Sequence, residues 1–474
     1  MDSKYENFTE KSSHNGTYVF LLVVNACMGS FFFGYTLGVF NPIQKYIQTN
    51  VYPDIPTWLL YFATSLVPLG AGIGAVTSGS ISSNFGRKKA MIITDLIAAV
   101  GVAVQLLNSQ YLLVLGRLIC GYCVGLNSAL VPTYVSEVSP VKVKGLMGTF
   151  NQLFICIGVL IAFFLGFGLP KGEDNSGSQY WRFMLGLPLA TLALRTFLLT
   201  TVFNLDTPKY LIMNDKPKEA RKILEKIYGS QADEQQSLLQ KEKDSQDGQS
   251  KVTVKDLFSP RYKKRFIAGA GLSMLQQLSG INAIIFFSTA IFENQANGNE
   301  NLPTIYTAIV GIVNVLSALA AGPIVTKAGR KAILSTGTIL CGITLAGFGI
   351  LSSMTNDKSP LLPYFIFAYM VAFGFSLGPV VWLYIPEVLP DAGVSIAVLL
   401  NWVVAFMVAQ GFPTLQEFAG TGISFILFAA FCALGIVFIG TYVKETKGKT
   451  DAEITAMFSG DKNIDDSNQS LTEA

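Results

Sequence analysis

The chain has 474 residues, of which 51% are hydrophobic and 14% charged, with a formal net charge of +3. A soluble domain carries about 25% charged residues, so this composition is that of a polytopic membrane protein, and so small a net charge argues against a nucleic-acid surface. The single histidine, His14, lies in a polar N-terminal stretch, and cysteines 27, 120, 123, 156, 341 and 432 all fall inside apolar runs without metal or disulfide spacing. Histidine catalysis, a metal centre and a cofactor are therefore not expected, and the cysteines read as small packing residues.

Residues 1–17 are a polar tail without signal-peptide form. Twelve apolar runs follow, at about 18–40, 57–82, 90–108, 111–135, 145–169, 182–204, 266–292, 303–326, 332–353, 361–386, 394–415 and 421–443. Each is near the roughly 20 residues that carry a helix across a bilayer. The expected fold is all-α: twelve transmembrane helices in two six-helix halves, 18–205 and 263–443. Between the halves lies a polar, lysine-rich stretch, 206–262. There residues 216–228 predict an amphipathic helix with Ile223, Leu224 and Ile227 on one face. Residues 231–250, rich in Gln, Ser and Asp, predict a flexible linker. Residues 444–474 form the C-terminal tail.

The short loops give the orientation. Arg87-Lys88-Lys89, Lys142 with Lys144, Lys327 with Arg330-Lys331, and Lys444 with Lys447 and Lys449 alternate with basic-poor loops holding Asp54, Glu173-Asp174, Glu300 and Glu417. The positive-inside rule then puts both termini and the central stretch in the cytosol. The sequons at Asn7, Asn15 and Asn468 would be cytosolic and unglycosylated.

The chain also repeats itself at a half-chain offset. Gly86-Arg87-Lys88 follows the second run and Gly329-Arg330-Lys331 the eighth. Pro132 to Glu137 and Pro140 end the fourth run; Pro386-Glu387 to Pro390 end the tenth. Asp206-Thr-Pro follows the sixth run and Glu445-Thr-Lys the twelfth. Topology alone explains the basic clusters but not this paired recurrence.

The seventh run carries Gln276-Gln277-Leu278-Ser279-Gly280-Ile281-Asn282. Carboxamides in a membrane helix are costly unless they meet partners or line a cavity. They offer donors and acceptors without charge, which suits a neutral, hydroxyl-covered ligand such as a sugar; the alternative is glue between helices. Gly271 and Gly280 allow the helix to break or approach a neighbour.

From about residue 18 to 455 these marks together resemble the sugar porter family of the major facilitator superfamily, and within it the facilitative glucose transporters. They include Gly86-Arg87-Lys88, Gly116-Arg117, Pro132 to Pro140, Asp206-Thr-Pro-Lys209, the Gln-Gln-Leu-Ser-Gly-Ile-Asn stretch, Gly329-Arg330-Lys331, Gly378-Pro379 to Trp382, Asn401-Trp402 and Glu445-Thr-Lys-Gly448. The resemblance implies sugar contacts at Gln152, Gln276, Gln277, Asn282, Asn314, Trp382, Asn401 and Trp402, in a site between the halves. It implies a cytosolic charge set of Arg87, Arg117, Glu137, Lys144 and Asp206 in the first half. The second-half set, Arg330, Glu387 and Glu445, looks thinner. Within that resemblance, Gln277-Leu-Ser279 looks like the form for glucose acceptance rather than fructose-only transport.

Several positions depart from the family. Phe286 and Phe287 stand where two gating tyrosines are usual, and Gly374 where a glutamate often lies near the sugar. Ser83 and Thr326 replace the acids that precede the two Gly-Arg-Lys clusters, and the loop after Glu387 lacks its usual arginine. Arg195, within the sixth run, has no assigned role. The resulting expectation is uniport of hexoses, D-glucose foremost, by alternating access in the plasma membrane, with no enzymatic activity. One rival is a proton–sugar symporter, but members that use protons tend to carry Asp at the position of Thr36. The other is a non-transporting sugar sensor, which usually carries a cytosolic tail longer than the one here. The preferred sugar and the oligomeric state are not legible.

Overall fold

In the computed structural model the described residues are 15–170, 177–246, 252–295 and 299–459, and their regular structure is entirely helical. The chain divides into two compact units, Met1–Ser250 and Lys251–Ala474, each taken by itself below.

The first unit contains α1 (Gly16–Gly38), α2 (Thr57–Phe85), α3 (Arg87–Gln105), α4 (Gln110–Val138), α5 (Val141–Leu165), α6 (Pro188–Thr201), α7 (Pro217–Tyr228) and α8 (Ala232–Gln246). Asn15 caps α1 by accepting from the Tyr18 backbone N–H at 3.1 Å. The sequons at Asn7 and Asn468 lie outside the described residues. Phe40–Tyr46 continues α1 almost without a break, and Tyr180–Gly186 leads into α6 at Leu187-Pro188, where proline suits the first helical turn. Small residues let backbones touch, as in membrane bundles. A Cβ on Gly125 of α4 would lie 2.0 Å from the Ala71 carbonyl of α2, and one on Gly34 of α1 would lie 1.9 Å from the Ile155 carbonyl of α5.

The amphipathic helix forms as the periodicity predicts. α7 buries Ala220, Ile223, Leu224 and Ile227, and Ile223 and Ile227 share one apolar cluster with Val19 and Leu22 of α1 and Leu130 and Tyr134 of α4. The flexible linker expected at 231–250 is instead helical over Ala232–Gln246, the residues beyond lying outside the description. Its composition misleads because its support is electrostatic and tertiary. Asp233 and Glu234 sit in the first turn, favourable to the helix dipole. Salt bridges Arg221–Asp233 (3.2 Å), Lys209–Glu242 (2.6 Å) and Lys243–Asp215 (2.6 Å) tie α8 to its neighbours.

The second unit contains α9 (Pro260–Leu278), α10 (Ile281–Phe292), α11 (Leu302–Lys327), α12 (Arg330–Thr355), α13 (Leu362–Phe375), α14 (Leu377–Val388), α15 (Asp391–Ala419), α16 (Thr421–Tyr442) and α17 (Asp451–Ser459). α9 packs along α15 and α12 along α16. α17 docks through Ile454 and Phe458, both buried. Arg265 braces it, donating from Nε to the Val388 carbonyl (2.6 Å) and from Nη1 to Thr455 Oγ1 (2.7 Å).

Among the described residues eleven helical spans are long and apolar enough to cross a membrane. The twelfth expected span, α3, forms and packs against α4, but Arg87, Lys88, Lys89 and Asp95 within its 19 residues make it too charged to qualify by composition. Large apolar side chains such as Leu146, Phe164, Phe197, Leu316 and Leu319 remain on the outer faces. A water-soluble protein does not tolerate so much contiguous exposure; lipid does.

Candidate sugar site and charge clusters

The seventh run breaks where glycine allows it. Gly280 takes φ +89°, in the left-handed region, and separates α9 from α10. A broken helix inside a bundle must re-satisfy its freed carbonyls. Tyr369 of α13 does this, donating from its hydroxyl to the Ser279 carbonyl at 3.1 Å and lying 3.2 Å from Ser279 Oγ.

The carboxamides around the break form one buried network. Asn401 of α15 donates from Nδ2 to the Ser273 carbonyl (2.8 Å) and to Gln276 Oε1 (2.9 Å), while its Oδ1 accepts from Gln277 Nε2 (2.9 Å). Gln276 also donates to the carbonyls of Leu377 (2.8 Å) and Gly378 (3.2 Å), joining α9 to α14. Gln277 Oε1 accepts from Asn282 Nδ2 at 2.7 Å. Gln276 and Asn401 are thus fully used by protein partners, the glue reading of the sequence. Gln277 keeps one Nε2 hydrogen and Asn282 keeps Oδ1 without a partner among the described residues. The network offers a ligand one donor and one acceptor side by side.

The other expected sugar contacts lie as follows. Trp402, 4% exposed, follows Asn401 on α15, whereas Trp382 on α14 is 38% exposed. Phe286 and Phe287 of α10 are buried, and Phe287 packs on Phe412 with ring centroids 5.7 Å apart. Asn314 on α11 is half-buried. Gln152 belongs to the first unit, half-buried on α5, with Nε2 3.4 Å from Cys156 Sγ. At Gly374 a Cβ would lie 2.4 Å from Ser317 Cβ of α11, so the space a glutamate needs is filled by a neighbouring helix.

The charge clusters repeat the same arginine–glutamate pair, threonine hydroxyl bond and acidic cap at the start of the arginine's helix. In the first unit Arg87 grips Glu137 through Nε (3.0 Å) and Nη2 (2.8 Å), and Thr207 Oγ1 donates to Glu137 Oε2 at 2.5 Å. Asp206 accepts from the backbone N–H groups of Arg87 (3.1 Å), Lys88 (3.2 Å) and Thr207 (2.8 Å), capping the start of α3. In the second unit Arg330 grips Glu387 through Nε (3.2 Å) and Nη2 (3.0 Å), and Thr446 Oγ1 donates to Glu387 Oε2 at 2.5 Å. Glu445 accepts from the N–H groups of Arg330 (2.8 Å) and Lys331 (3.1 Å) at the start of α12. The second-half set is therefore a full counterpart of the first rather than a thinner one. Thr207 and Thr446 were missed, though the Asp-Thr and Glu-Thr repeat carried them. Burial raises the Asp206 carboxyl above its ordinary range, against the three N–H groups that lower it.

Two expected members of the first cluster are absent from it. Lys144 is exposed on α5. Arg117 lies 20 residues before Glu137 on the same helix, about 30 Å away at 1.5 Å per residue. It is buried and donates to the Ala63 (3.2 Å) and Thr36 (3.0 Å) carbonyls. Arg195 has a definite place: with 0% side-chain exposure it holds Asp95 through Nε (2.9 Å) and Nη2 (2.5 Å), and Asn127 Oδ1 through Nη1 (2.9 Å).

Residues 22–458 match the family model described as "Sugar (and other) transporter". The chain is 32% identical over 478 residues to the chicken facilitated glucose transporter member 1 of solute carrier family 2, covering 95% of each. It is 30% identical over 439 residues to the Arabidopsis thaliana plastidic glucose transporter 4, covering 90% of this chain and 78% of that one. Among solved structures it resembles the partially occluded inward-open form of the Escherichia coli xylose transporter XylE, with TM-score 0.78 and 27% identity over 92% of this chain and all of that one. It also resembles the proton:xylose symporter XylE bound to 6-bromo-6-deoxy-D-glucose, with TM-score 0.76 and 25% identity over 94% of this chain and all of that one. With the helical repeat and the paired charge clusters, these matches make the chain a member of the sugar transporter family of the major facilitator superfamily: a multi-pass membrane transporter and not an enzyme.

Proposed function

We propose that the chain is a facilitative uniporter of hexoses, D-glucose foremost, working by alternating access in the plasma membrane with both termini in the cytosol. The observation that carries this reading is the uncharged network at the break in the seventh run, with its spare donor on Gln277 and acceptor on Asn282. Each hydrogen bond to a sugar hydroxyl is worth roughly 0.5–1.5 kcal/mol. A few such bonds give binding near millimolar, about −4 kcal/mol, weak enough to release the sugar. Gln152, Asn314, Trp382 and Trp402 complete the proposed sugar site. The Arg87–Glu137–Asp206 and Arg330–Glu387–Glu445 clusters serve as cytosolic latches, and Phe286 and Phe287 as an apolar gate.

Proton symport is the second reading, because a similar solved structure is a proton:xylose symporter. Uniport is preferred because the residue at position 36 is Thr36 and, among the described residues, no carboxylate joins the carboxamide network. Asp95, a buried carboxylate in the first unit, is paired with Arg195.

The test uses purified protein in vesicles with equal sugar on both sides. Under uniport an imposed pH gradient produces no accumulation, while labelled D-glucose exchanges and competes with other hexoses. Uphill accumulation driven by the gradient would make the chain a symporter; binding without exchange would make it a sensor.

A further inference from the structure

Arg117 is 1% exposed, and Arg195 is wholly buried. Both lie inside the first unit, yet among the described residues Arg195 has an acidic partner and Arg117 has none. Arg117 Nε donates to the Ala63 carbonyl, Nη1 to the Thr36 carbonyl, and the guanidinium carbon lies 4.8 Å from the centre of the Phe40 ring. Its Nη2 is buried with no hydrogen-bond partner among the described residues. Carbonyls and a ring face supply only partial negative charge. A full charge left uncompensated inside a bundle is strongly unfavourable.

A second buried group points to the same place. Thr64 of α2 is 0% exposed and its Oγ1 also has no partner. The two helices run in parallel register: Ala63 meets Arg117, Val67 meets Gly121 and Ala71 meets Gly125. Ala63, Thr64, Val67 and Ala71 fall on one helical face at i, i+1, i+4 and i+8. Thr64 thus stands on the α4-facing side, one residue from the position that contacts Arg117. Two N–H groups on a fixed cation and one hydroxyl donor are complementary to an anion. Arg117 and Thr64 are both buried, so a ligand held by them must be small.

We propose that Arg117 holds a small monovalent inorganic anion, chloride in the cell, at the junction of α1, α2 and α4. The anion supplies the counter-charge that no described residue provides and stabilises the first unit. The competing occupant is water bridging Arg117 to Gln105, which packs beside Gly116 and whose Oε1 is likewise buried without a partner. Water would leave the charge unmatched and show no anion dependence.

The experiment is thermal unfolding of the purified full chain, titrated with chloride or bromide at constant ionic strength set by gluconate. The expected result is a saturable rise of several degrees in the unfolding midpoint with either halide. The rise should be lost in Arg117→Met and should need several-fold more chloride in Thr64→Val. Identical midpoints in chloride and gluconate would overturn the proposal. So would a halide effect that survives in Arg117→Met, since the anion would then sit elsewhere. If Arg117→Met does not fold, Thr64→Val decides: an unchanged chloride midpoint in that variant rejects the site.

Discussion

Arg195→Met should destabilise the first unit severely, and the loss should be largely reversed by a second substitution, Asp95→Val. The ion pair has side-chain exposures of 0% and 1%, and its carboxylate takes two bonds from Arg195 and one from Thr196 at 3.0 Å. Removing the arginine leaves a buried carboxylate with one hydroxyl for company. Breaking such a pair costs about 3–5 kcal/mol, whereas replacing both partners with apolar groups of similar volume is often near neutral. In the double variant the remaining loss is the Asn127 Oδ1 that had accepted from Arg195 at 2.9 Å, a cost of about 1–3 kcal/mol. A unit of this size moves its midpoint by about 2–4 °C per kcal/mol, so the single variant should fall by roughly 6–20 °C. Thermal unfolding of wild type, both single variants and the double variant closes the cycle. A double variant as unstable as Arg195→Met, or a single variant within a degree of wild type, would refute the reasoning.

Glu137→Gln should favour the inward-facing form by loosening Arg87 and Thr207. Because Arg330 and Thr446 hold Glu387 as Arg87 and Thr207 hold Glu137, Glu387→Gln should do the same to a similar degree; stronger binding of an inhibitor specific for the inward-facing form is the readout, and weaker binding in folded variants counts against a latch. Gly280→Ala should cost about 1–2 kcal/mol from its left-handed backbone alone, and more because its Cβ would lie 2.8 Å from the Phe428 ring; a lower midpoint and impaired sugar transport are expected. Asp206 holds its proton more tightly when folded than unfolded, so its contribution to stability is smallest at neutral pH and grows as pH falls through its folded pKa toward the unfolded value. The midpoint difference between wild type and Asp206→Asn should therefore shift toward wild type on acidification from pH 7, and a pH-independent difference would contradict the raised pKa.

Legibility varied from element to element. Helix existence was plain wherever apolar runs had bilayer length, and α7 was plain because Ile223, Leu224 and Ile227 recur at helical spacing. α8 was not, because its composition is that of a disordered segment and its contacts, Leu239 on the apolar cluster and salt bridges to Lys209 and Asp215, are to residues distant in the chain. Gln276, Gln277 and Asn282 were singled out as residue types in unfavourable surroundings, and Asn401 by the family resemblance. Which of them keep a free donor or acceptor was not legible, since that depends on how α9, α10, α14 and α15 meet.

The sequence by itself determined a helical membrane protein with an internal repeat, because hydropathy, charge placement and motif spacing are properties of the linear chain. Tertiary structure alone decided the charge partners. By resemblance Arg87 and Arg117 fall in one charge set and Arg195 in none, yet Arg87 closes a half-buried cluster with Glu137, Arg195 is matched to Asp95 a hundred residues away, and Arg117 has no acid among the described residues. Electrostatic energy falls with distance and rises with burial, and neither quantity exists until the helices are packed.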